Sequence, residues 1–263
     1  MRGIGKTLSP LPFLLAALLL FTGCDRRPVA APLAADEQAE QDTVLALMGR
    51  VQEDAVRQAF GQLPRLAYTR YSRTEQFNAQ DQLLAFREHT VRAVPDSTRP
   101  TPVQADSGGA FDFGFFQTFV SETVPALDVL DLVPFVLPDD PPYRDARHRE
   151  AYRFRLLPDT LLWDLEARVL EVRARPDLGD GQPIRRVRLY VDKGSGQLAA
   201  LALERIDLAM LFREESTFFV SIRPLADSLW VPASTRFQTR ITMPFRGTQQ
   251  FHTATTWTDY TLP

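Results

Sequence analysis

The chain has 263 residues, 44% of them hydrophobic and 24% charged, with a formal net charge of −3. That length supports one sizeable core and is short for two, and the composition is that of an ordinary globular chain. Arginine and acidic residues are interspersed, as in "YRDARHREAYRFR", so no basic face for nucleic acid emerges, and a lone cysteine, Cys24, excludes an internal disulfide.

Arg2 and Lys6 precede an apolar run from Leu11 to Phe21, and the small residues Thr22 and Gly23 follow it. This is the layout of a secretory signal over 1–23, and the run is shorter than the ~20 residues that a membrane span needs. Cys24 comes straight after the small pair, and "FTGC" resembles the lipobox of bacterial lipoproteins, with Phe21 where that pattern usually has Leu. The resemblance implies cleavage before Cys24 and acylation of its thiol and new N-terminus, so that the membrane is a partner through lipid on Cys24. Several acyl chains, each contributing about 0.8 kcal/mol per buried CH₂, would make the anchorage essentially permanent. Losing Arg2 and Lys6 with the leader takes the net charge to −5. The expected location is the envelope of a Gram-negative-type bacterium, facing the periplasm. The outer membrane is favoured, and Asp25 after the anchor is a pointer toward the inner one.

Residues 24–41, "CDRRPVAAPLAADEQAEQ", are rich in Ala, Pro and charge and poor in large apolar side chains, which predicts a flexible tether. One domain follows over 42–263. In "DTVLALMGRVQEDAVRQAFG", Val44, Leu47, Met48, Val51, Ala55 and Ala59 recur at helical spacing, with Asp42 to cap the start and Gly61 to end it. One amphipathic helix is predicted there. Alternation with period two then begins, and "LAYTRYSRTEQF" and "QLLAFREHTVRAV" read as a hairpin around Asn78.

Residues 95–109, "PDSTRPTPVQADSGG", read as a long polar loop. Ala126, Val129, Leu130 and Val133 predict a short inserted helix over 125–133, bounded by Pro125 and Pro134, and 136–148 reads as a further loop. Beyond it, "LWDLEARVLEVRARP", "IRRVRLYVD", "QLAALALERID", "STFFVSIRP", "LWVPASTRFQTRITM" and "QQFHTATTWTDYTL" are strands joined by short turns such as "DLGDGQ", "KGSG" and "LADS". That order predicts an antiparallel meander and excludes the strand–helix alternation of a parallel sheet.

The order of elements in "RLYVDKGSGQLAALALERID … LADSLWVPASTRFQTRITMPFRGTQQFHTATTWTDY" resembles the LolA/LolB-like superfamily of lipoprotein-sorting proteins. The motifs are the strand ending in Asp192, its Gly-containing turn, the strand opening "LWVP" and the last strand ending "TDY". The resemblance implies an α+β fold: a strongly curved antiparallel sheet, a half-open barrel, with the N-terminal amphipathic helix and the short inserted helix on its concave side. It also implies that an acyl chain or lipoprotein is taken into an apolar hollow, with helix 125–133 as a lid. Trp163, Phe218, Val220, Ile222, Phe237 and Trp257 are the residues expected to line it. The same residues could instead form a closed core, in which case the protein would be a structural or sensory lipoprotein acting through protein contacts.

His89, His148 and His252 are scattered without metal-ligand spacing, and no Gly-x-Ser-x-Gly elbow or phosphate-binding glycine loop is present. No catalytic constellation, metal site or cofactor is therefore expected.

Overall fold

In the computed structural model, the described residues are 32–51, 54–95, 97, 99–112, 141–209, 212–226, 229–244 and 247–262. Cys24, residues 24–31 of the expected tether and the expected helix 125–133 lie outside them.

Ten strands form one antiparallel sheet: β1 (Ala67–Phe77), β2 (Leu83–Ala93), β3 (Thr101–Gly108), β4 (Tyr152–Leu162), β5 (Leu165–Ala174), β6 (Ile184–Asp192), β7 (Leu198–Ala209), β8 (Phe212–Ala226), β9 (Leu229–Met243) and β10 (Gly247–Thr261). Their order is β3-β2-β1-β10-β9-β8-β7-β6-β5-β4, so the sheet is curved and unclosed, with β3 and β4 at its two ends. From β4 to β10 each strand pairs with the next, as the short turns predicted. The pairing of β1 with β10 joins the first hairpin to the last strand.

The predicted single helix is two. α1 (Ala35–Met48) starts seven residues ahead of Asp42, within the stretch expected as tether, and α2 (Asp54–Gly61) follows a break. Two causes are visible in the sequence. "AADEQAEQ" consists of good helix formers, with Asp36 and Glu37 in the first turn where the helix dipole favours acids. Gly49 then weakens the helix in mid-pattern, and Arg50 and Val51 donate their N–H groups to Leu47 and Met48 in tighter turns. Asp42 is no cap; it accepts from Gln38 Nε2 at 3.0 Å inside α1.

The segment expected as a polar loop contains β3, which pairs with β2 from Phe86–Gly108 to Arg92–Thr101. Its side chains are almost all exposed, so it carries no hydrophobic alternation to read. An edge position also tolerates Pro102. The hairpin at Asn78 is as predicted: its Oδ1 accepts the N–H groups of Gln80 and Gln82 at 2.9 and 3.0 Å.

Both helices lie on one face of the sheet, α1 against β4 and α2 across β7, β8 and β9. α2 buries Ala55, Val56, Ala59 and Phe60. Phe60 meets Trp257 edge to face at 5.5 Å. α1 is also tied by charge: Glu40 Oε1 accepts the Leu156 N–H at 2.9 Å, and Glu37 lies 3.5 Å from Arg153. Among the described residues no helix is long and apolar enough to cross a membrane.

Candidate functional site

The register places side chains from all ten strands in continuous cross-strand rows. One row on the helix-covered face runs Phe154, Val172, Val187, Leu203, Phe218, Phe237, Thr253, Thr74, Arg87, Ser107 from β4 to β3. The neighbouring row runs Leu156, Leu170, Leu189, Leu201, Val220, Thr235, Thr255, Ser72, His89, Ala105. Both are apolar from β4 to β8 and become polar by β10. Period-two alternation sets the apolar side chains facing one way, and each large one that is fully buried contributes about 1.5–3 kcal/mol.

Four of the six expected lining residues, Phe218, Val220, Ile222 and Trp257, are buried in one cluster with α2, and Phe237 is half-buried against it. Trp163 does not join them. It sits at the β4–β5 turn with φ 57 and is 52% exposed. "LWDL", read as the start of a strand, is where the chain reverses, and Trp163 takes the left-handed conformation that a two-residue hairpin turn requires.

A cavity does open where α1 breaks. Leu47, Arg50 and Val51 meet Arg168 and Leu170 of β5, Val191 and Asp192 of β6, and Lys193 and Gly196 of the β6–β7 turn, around a volume of about 140 Å³. Val51 and Leu170 belong to the buried cluster, and Leu47 and Val191 pack against it, so the cavity is an opening into the core. Sequence reasoning named none of these as site residues. Its signal was Gly49, a helix breaker inside an otherwise regular helical pattern.

The cavity's rim is cationic. Arg168 is half-buried and Arg50 exposed, and neither guanidinium has an acidic partner among the described residues. Lys193 Nζ lies 3.0 Å from Asp159 and 3.3 Å from Glu166, which raises its pKa through those hydrogen bonds. Asp192 is turned into its own tight turn: Oδ2 accepts the Ser195 N–H at 2.7 Å and the Ser195 hydroxyl at 2.6 Å. Burial pushes its carboxyl up, but the hydrogen bonds from Ser195 and Gly194 outweigh this and hold it below the usual range.

The opposite face carries a wider polar groove of about 320 Å³, whose walls include Glu204, Glu215, Arg240 and His252. Its charges are largely met from within the sheet. Glu204 pairs with Arg186, Glu215 accepts from Arg213 at 2.7 Å, and Arg240 reaches Gln250 Oε1 at 3.4 Å. The His252 ring lies tilted against Phe77 with centroids 4.7 Å apart, and His148 lies 3.2 Å from Asp145. Among the described residues no three of His, Cys, Asp and Glu converge as metal ligands.

No protein-family model and no curated protein matches this sequence. Among solved structures the chain is similar to an outer membrane lipoprotein-sorting protein domain from Vibrio parahaemolyticus (10% identity, 86% of this chain and 93% of that one, TM-score 0.28). It is also similar to a DUF1329 family protein from Desulfovibrio piger (11% identity, 85% and 93%, TM-score 0.28). A third is a LolA superfamily protein from Nitrosomonas europaea (8% identity, 80% and 93%, TM-score 0.22). Superpositions this shallow transfer no function to the chain.

Proposed function

We propose that this is a lipid-anchored protein of the cell envelope that binds an acyl chain, as a free lipid or on a lipoprotein, against the apolar face of its half-barrel. The observation that carries the reading is the cavity at the α1–α2 break, because its walls are continuous with the buried cluster on β5–β9. An apolar recess suits a ligand that offers few groups to recognise individually. α2 covers the face across β7, β8 and β9, so a long chain lying beneath it enters as α2 moves. That motion is accessible because α2 has eight residues and buries four of them, and Gly49 lies just upstream. Cys24, by its lipobox-like setting, holds the domain to the membrane that supplies the ligand.

Native mass spectrometry of the whole mature chain, secreted from a bacterial host with Cys24→Ser and followed by lipid extraction, tests this. A co-purifying lipid is expected, and it should be lost in Leu47→Asp or Val191→Asp, which charge half-buried walls of the cavity without touching the deepest core. A bare mass that stays unchanged on adding acylated peptides contradicts the reading.

One observation favours a second function, that of a structural or sensory lipoprotein. The side chains of β3 are almost all exposed, and its pairing among the described strands is with β2 alone. An edge of that kind can accept a strand from another chain.

A further inference from the structure

We infer that the cavity at the α1–α2 break holds the head end of an anionic amphiphile, a carboxylate or phosphate on an alkyl chain, with Arg50 and Arg168 gripping the anion. This rests on the acyl-binding reading above and names the chemistry of the ligand's polar end.

The cavity is two-sided. Its inner wall, Leu47, Val51, Leu170 and Val191, offers nothing to a polar group and continues into the core. Its rim carries two guanidiniums that have no acidic partner among the described residues. Arg168 points from β5 toward α1 in the same alternation as Leu170, so its stem lies along apolar surface while its charge faces the opening. A half-buried guanidinium loses part of its hydration, and a carboxylate or phosphate restores it through two parallel N–H···O bonds.

The other charges at the mouth are already engaged. Lys193 is held by Asp159 and Glu166, and Asp192 is occupied by Ser195. A neutral head group would leave both guanidiniums unmatched, and a cationic one would be repelled by them. A free anion without a chain would leave the apolar wall unused.

Calorimetric titration of the whole chain carrying Cys24→Ser tests the inference, using decanoate, decyl phosphate, decanol and inorganic phosphate below their micellar range at neutral pH. Decanoate and decyl phosphate should bind roughly tenfold or more tightly than decanol. The Arg50→Gln/Arg168→Gln double variant should bring both anions down to decanol's affinity while leaving decanol unchanged, and Arg168→Lys should recover part of the preference. An unchanged circular dichroism spectrum and thermal midpoint would show that the double variant folds. Preference for one anion over the other identifies a carboxylate or a phosphate as the natural head. The inference is overturned if decanol matches the anions, if the double variant keeps the preference, or if inorganic phosphate binds as tightly as decyl phosphate. If none of the decyl compounds binds, the acyl-binding reading falls as well.

Discussion

The β4–β9 side of the sheet and its β10–β1–β2–β3 wing share one hydrogen-bonded ladder but cover their faces differently. On the first side the row Phe154, Val172, Val187, Leu203, Phe218, Phe237 is apolar and lies under α1 and α2. On the wing the same row continues as Thr253, Thr74, Arg87, Ser107, and it is hydroxyls that meet: Thr74 and Thr253 at 3.1 Å, Ser72 and Thr255 at 3.0 Å. Backbone pairing alone therefore builds a ten-stranded sheet. Side chains decide which part of it becomes an apolar core with a recess and which is joined by polar contacts. Trp257 stands at the border, reaching from β10 back to Phe60 of α2.

The largest test of that contrast is Trp257→Ala. It removes a side chain 2% exposed and its edge-to-face contact, and should cost about 3–5 kcal/mol in urea unfolding. A cost below ~1 kcal/mol would show that α2 does not depend on the border.

On the wing the corresponding anchor is polar. Gln76 is fully buried; its Nε2 donates to the Asp112 carbonyl at 2.6 Å, and its Oε1 accepts the Asp112 N–H at 2.8 Å. Gln76→Leu removes both hydrogen bonds and should cost about 1–3 kcal/mol, with the loss of amide-exchange protection concentrated at Asp112.

A third test concerns the turn that closes the cavity. Asp192 has its folded-state pKa lowered, so its contribution is fully present at neutral pH. It is lost as the pH falls below about 4, the unfolded value, and through the folded one. Asp192→Asn should cost about 1 kcal/mol at neutral pH and flatten that part of the acid limb of a stability–pH curve. An acid limb identical to wild type would show that the turn does not depend on the charge.

The smallest effect is expected from Thr74→Val with Thr253→Val. Replacing both partners of one hydroxyl pair with apolar groups extends the apolar row by two strands and should change stability by no more than about 1 kcal/mol either way. A large loss would mean that the wing's hydroxyl pairs matter as much as the core.

Much of this was legible in the sequence, because strict alternation writes one face of a strand directly into the chain. Phe218, Val220 and Ile222 could be read as sharing a face, and they do. β3 was not legible, since a strand with both faces wet has no alternation to show. The break in the first helix was signalled by Gly49, but six apolar positions in phase obscured it. Trp163 misled because a large aromatic beside Leu162 looks like strand interior, while its backbone turns there. The cavity could not be read at all: residues 47–51, 168–170 and 191–196 meet only through the fold.

The most direct test of the central claim is amide hydrogen exchange of the whole chain carrying Cys24→Ser, with and without saturating decanoate. Exchange is expected to change at the end of α1, along α2 and on the β5–β6 and β6–β7 segments, while β1, β2 and β3 are unaffected. No change around the α1–α2 break, or a change confined to the β1–β3 wing, would contradict it.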